Sequence, residues 1–96
     1  MKVLCSKNNY LLLKFESEDG SPALYAFHSA EFFNKHPENI VKGTKEETLK
    51  SCRAALKHCK GKIKKYSYRD IPAILEFLDE QKSALTAFIS ILKGSK

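Results

Sequence analysis

Residues 44–66 read TKEETLKSCRAALKHCKGKIKKY, and two interleaved patterns in that stretch set the fold. Apolar side chains recur at Leu49, Cys52, Leu56, Cys59, Ile63 and Tyr66, in alternating steps of three and four. Such spacing follows the 3.6-residue period and predicts a helix with one buried stripe. Thr44, with Glu47 three residues on, is a capping box that starts it. Gly61 leaves two readings open. Glycine costs about 1 kcal/mol relative to alanine inside a helix, and it is also the preferred residue just past a helix end. The helix therefore either stops near Lys60 or continues to Tyr66.

The second pattern is basic. Lys50, Arg53, Lys57, Lys60 and Lys64 follow the same three-four spacing. At about 100° per residue they fall in one sector roughly 80° wide beside the buried stripe, with Glu46 at its N-terminal edge. The row is about 21 Å long from Lys50 to Lys64 at 1.5 Å per residue. Like charges four residues apart cost a few tenths of a kcal/mol each. A surface chosen for stability would place Glu among them, so an external anion accounts for their absence. The alternative is a solvated face that keeps the chain soluble and complements the helix dipole.

Charge is concentrated around this element. The chain carries a formal +6, yet residues 42–69 alone hold ten basic groups against Glu46 and Glu47, and the segments on either side are close to neutral. Localised basicity marks a surface that attracts polyanions. At the end of the run, Lys65, Tyr66, Tyr68 and Arg69 put aromatic rings among cations, a combination suited to base stacking beside phosphate contacts. Tyr66 also reads as the last member of the apolar stripe, which leaves Tyr68 the freer ring.

Upstream, the chain reads as strands. Val3-Leu4-Cys5 leads into the turn signal Lys7-Asn8-Asn9. Leu11, Leu13 and Phe15 then alternate with Tyr10, Leu12 and Lys14, the period of a half-buried strand. A loop around Asp19-Gly20 precedes a third strand, residues 23–27, and short connections favour an antiparallel meander. Ser29 caps a short helix anchored by Phe32 and Phe33, which His36-Pro37 ends.

Downstream, Asp70 is a helix cap, with Pro72 tolerated in the first turn. Ile71, Ile74, Leu75 and Leu78 form a first apolar face, and Asp79 to Ser83 interrupts it. The apolar residues of 84–92 then cover roughly 200° of the wheel, twice what a surface helix needs. Two coverings satisfy this. Either the helix is central, between the sheet and the basic helix, or Leu85, Phe88, Ile89 and Leu92 pair with a second subunit across a two-fold axis.

Composition and motifs exclude several classes. The most apolar stretch is nine residues long, where a membrane span needs about twenty, and no secretory signal is visible at Met1-Lys2. Cys5, Cys52 and Cys59 are odd in number and lack framework spacing. On one helix, Cys52 and Cys59 stand about 10 Å apart, beyond the ~7 Å limit for a disulfide. An intracellular, reducing setting follows. The same separation disfavours a shared zinc ion, and His58 points about 100° from Cys59. Phosphate loops and dinucleotide fingerprints are absent from the sequence.

The expectation is an α+β domain over 1–96. It has an N-terminal three-stranded antiparallel sheet (1–28), a short helix and connector (29–43), a basic amphipathic helix (44–66) and an apolar C-terminal helix (70–93). The expected role is non-catalytic: Lys50, Arg53, Lys57, Lys60, Lys64, Lys65, Tyr68 and Arg69 dock on nucleic-acid phosphates, with no metal and no cofactor. The runner-up is an inhibitor or adaptor that turns the same face to an acidic partner protein.

Overall fold

A computed structural model describes residues 1–69 and 71–94, with the side chain of Arg69 outside the description. The order is β1 (Lys2–Lys7), β2 (Tyr10–Phe15), β3 (Leu24–Ser29), α1 (Ala30–Lys35), a 3-10 turn (Pro37–Asn39), α2 (Lys45–Tyr66), a second 3-10 turn (Ser67–Arg69) and α3 (Pro72–Gly94). This is the expected α+β arrangement: a three-stranded antiparallel sheet in the order β1-β2-β3, then one short and two long helices.

Asn8 and Asn9 close the first hairpin with φ of 52° and 68°, the left-handed region that a two-residue primed turn needs. Lys7 pairs with Tyr10 across it, and the register slips between Val3 and Cys5, a bulge on the edge strand. β2 and β3 pair from Tyr10–Ser29 through Phe15–Leu24. Leu12 and Leu13 are both buried although they point to opposite faces. The strand read from alternation as half-buried thus hides side chains on both of its faces.

Ser29 caps α1 by accepting the Phe32 N–H at 3.2 Å, and His36 ends it as expected. The ring of His28 stacks on Phe32 at 4.1 Å between centroids, which folds α1 back on the end of β3. The connector then runs to Gly43, which exchanges two backbone bonds with Tyr25: Tyr25 N–H to Gly43 O at 2.7 Å, and Gly43 N–H to Tyr25 O at 2.9 Å. One turn into α2, the buried Thr48 hydroxyl donates to the same Tyr25 carbonyl at 3.4 Å. These bonds tie the start of α2 to the free edge of β3.

The core joins Leu12 and Tyr25 of the sheet to Cys52 of α2 and to Ala84, Leu85, Phe88 and Leu92 of α3. Phe88 meets Phe27 edge-on at 6.5 Å. Leu85, Phe88 and Leu92 are 2% exposed or less, and Ile89 is half-buried. Sheet and α2 cover Leu85, Phe88 and Leu92 within one chain, the arrangement that the central-helix alternative describes. The polar run Asp79 to Ser83 does not interrupt α3, which is continuous. The cap expected at Asp70 lies outside the described residues.

Candidate polyanion-binding face on α2

α2 runs unbroken through Gly61 to Tyr66. Its capping box is complete, with Glu47 N–H donating to the Thr44 hydroxyl and Thr44 N–H to the Glu47 carboxylate, both at 3.1 Å. Continuity carries Lys64 into register with Lys50, Arg53, Lys57 and Lys60, and sets Lys65 to one side of the row. All six are exposed. Among the described residues the ion pairs are Lys14–Glu16 and Lys35–Glu31, and neither touches α2. The row therefore stands as a line of cations without an ion-pair partner among the described residues, with Glu46 at its N-terminal edge.

Two of the expected aromatic contributors separate. Tyr66 is half-buried and turned toward Ile74 and Phe77 of α3, so it completes the apolar stripe. Tyr68, in the following turn, is 83% exposed beside the basic end of the helix. Arg69 shares that turn through its backbone; its side chain is outside the description. Lys65 lies about 100° around the helix from Lys64. It lines a shallow depression with Ala54, Lys57, His58, Gly61 and Lys62, and every wall of it belongs to α2. No second element closes over it, so it presents a surface and not an enclosing pocket for a small anion.

Cysteine and histidine chemistry points elsewhere. Cys52 is fully buried, and burial pushes its thiol up to about 12. Burial also raises the Cys59 thiol, which donates from Sγ to the Leu78 carbonyl at 3.1 Å. Burial thus favours the protonated form of both sulfurs. His58 is exposed, and burial against the aromatic cluster lowers His28. Among the described residues no group of three or more His, Cys, Asp or Glu could hold a metal ion, and no helix is long and apolar enough to cross a membrane.

The geometry suits lateral docking. A free helix of 10–12 Å diameter fits the ~12 Å major groove of duplex DNA. α2 has one side packed on α3 and the sheet, so its outer strip is what a partner reaches. The basic residues of that strip are spread along some 21 Å of the helix axis. The sequence reading missed Phe77, which is 56% exposed at the far end of the α2–α3 pair. Its place on the helical wheel, within about 20° of Phe88, was the available signal. No protein-family model, curated protein sequence or solved structure matches this chain.

Proposed function

We propose that this protein is a non-catalytic binding module whose α2 face, Lys50, Arg53, Lys57, Lys60 and Lys64, docks on nucleic-acid phosphates. The observation that carries the reading is the absence of any ion-pair partner for these five exposed cations among the described residues. Repulsion along the row is relieved when phosphates lie against it, and the lysine and arginine groups displace the counterions condensed on the nucleic acid, whose release drives such complexes. Lys65 and Tyr68 extend the face at its C-terminal end, where an exposed ring offers a stacking platform. Three unpaired thiols support an intracellular setting for the module.

Fluorescence anisotropy with labelled duplex DNA, single-stranded DNA and RNA tests this directly. Five contacts predict log K falling against log salt with a slope of about −4.5 on duplex and about −3.5 on single strands. The Arg53→Glu/Lys57→Glu/Lys60→Glu protein should keep its circular dichroism spectrum and lose binding. No binding at low salt, or a complex insensitive to salt, overturns the reading.

A further inference from the structure

The apolar stripe of α3 outruns the sheet that covers it. Phe88 marks the sheet-facing side of the helix, since its ring meets Phe27 of β3. Phe77 lies eleven residues earlier, within about 20° of Phe88 on the wheel, and so faces the same way. The sheet reaches along α3 as far as Glu80, whose carbonyl accepts from the Asn8 side chain at 3.0 Å. Beyond that point Phe88 is fully buried behind and Phe77 is 56% exposed ahead. The uncovered space is a groove of about 340 Å³ between the two helices, with Tyr66, Ile74 and Leu78 in it, Phe77 on one side and Lys62 on the other.

We infer that this groove is a docking site for a short acidic amphipathic helix of a partner protein, seated where a continuing sheet would lie. Apolar anchors at i, i+3 or i+4, and i+7 would fill the space over Ile74 and Phe77, the usual mode of a helix laid in a groove. Charge decides what flanks those anchors. Lys62 is the one charged side chain lining the groove among the described residues, and it has no ion-pair partner there. Lys60, Lys64 and Lys65 crowd the same end of α2, while Glu76 and Glu80 lie on the α3 side. An occupant with Asp or Glu toward α2 meets an uncompensated ammonium group; a basic one meets repulsion. Lys62 is not part of the phosphate-binding row, so this site stands or falls independently of that reading.

The test uses a labelled synthetic helical peptide with Leu and Phe at the anchor positions and Glu elsewhere, titrated into the full-length protein. Saturable binding is expected, with amide shifts at Tyr66, Ile74 and Phe77. Phe77→Ser should weaken it about thirtyfold or more, as for a central apolar anchor. Lys62→Glu should weaken it about fivefold, an effect that fades at high salt. Arg53→Glu, on the other face, should leave it unchanged. Phe77 is exposed, so its variant should keep the parent melting curve. Absence of binding overturns the inference, as does binding that moves with Arg53 and ignores Phe77. A dimer in sedimentation that Phe77→Ser dissolves would also overturn it, in favour of a second copy of this chain in the groove.

Discussion

Cys59 and Leu78 join the two long helices through a polar contact, the Cys59 Sγ donating to the Leu78 carbonyl at 3.1 Å across nineteen residues of sequence. It sits where the sheet stops supporting the helix pair. Two turns earlier on α2, Cys52 is packed into the main core. Both thiols are therefore structural, and their chemistry should be read as stability.

Burial raises both thiols, Cys52 to about 12, so the folded chain holds protons that the unfolded chain, near its ordinary value of 9.0, releases. Their contribution is fully present below pH 9 and is lost as pH rises from there toward 12. For Cys52 alone the loss is about 1.4 kcal/mol per pH unit above 9. Melts followed by circular dichroism between pH 8 and 10 should show this decline, and Cys52→Ala should flatten it. In the native protein at pH 8, Cys52 and Cys59 should resist alkylation while half-buried Cys5 reacts. Rapid modification of Cys52 without denaturant would contradict the burial.

The capping box gives a second measurable quantity. Thr44 supplies the hydroxyl that satisfies the Glu47 N–H and sits beside Gly43, which pairs with Tyr25. Thr44→Ala should cost about 1 kcal/mol, lowering the melting temperature by about 4–8 °C for a chain of this size. The reciprocal bond from the Thr44 N–H lowers the Glu47 carboxyl. That small contribution is present above the ordinary glutamate range and is lost on acidification through the lowered value, so Glu47→Gln should reduce the acid sensitivity of the melt.

Core and row should respond in opposite ways. Phe88 is fully buried between sheet and helices, and Phe88→Ala should cost about 3–5 kcal/mol. Loss of Phe88 should appear as unfolding, with no change of mass beforehand, because its partners lie in the same chain. Lys57→Glu or Arg53→Glu, on exposed positions, should change stability by no more than about 0.5 kcal/mol, with relief of like-charge repulsion pulling toward a gain. Urea titrations of the three proteins would separate the two classes. Strong destabilisation by Lys57→Glu would mean that the row is structural.

Much of this architecture was legible in residue spacing. The Asn8-Asn9 turn, the alternation of β2, the Ser29 and Thr44 caps and the α2 stripe each obey a local rule, and the chain follows all of them. What spacing could not supply was the identity of the covering surface. The breadth of the apolar face at 84–92 showed that α3 needed two covers, and the packing of Leu85 and Phe88 shows that sheet and α2 of this chain lie over it. Leu13 and Leu12 are buried on opposite faces of β2, where alternation alone leaves one face to solvent. Phe77 is the converse case: its wheel position resembles that of Phe88, and it is exposed because the sheet ends first.

Gly61 carries the last prediction, because local preference and tertiary packing disagree there. A helix stop after Lys60 would have released Ile63 and Tyr66, both half-buried in the continuous helix, and their packing outweighs a penalty of about 1 kcal/mol. A Cβ built at Gly61 meets nothing within 4 Å. Gly61→Ala should therefore stabilise the protein by about 1 kcal/mol, seen as a melting temperature raised by about 4–8 °C. Gly20, also with open space around it, sits at φ +84°, and Gly20→Ala there should destabilise. If phosphates are gripped by the tips of long side chains, one methyl on the outer face leaves nucleic-acid affinity within about twofold of the parent. A large loss of affinity in a stabilised Gly61→Ala protein would instead mean that the partner approaches the helix backbone itself.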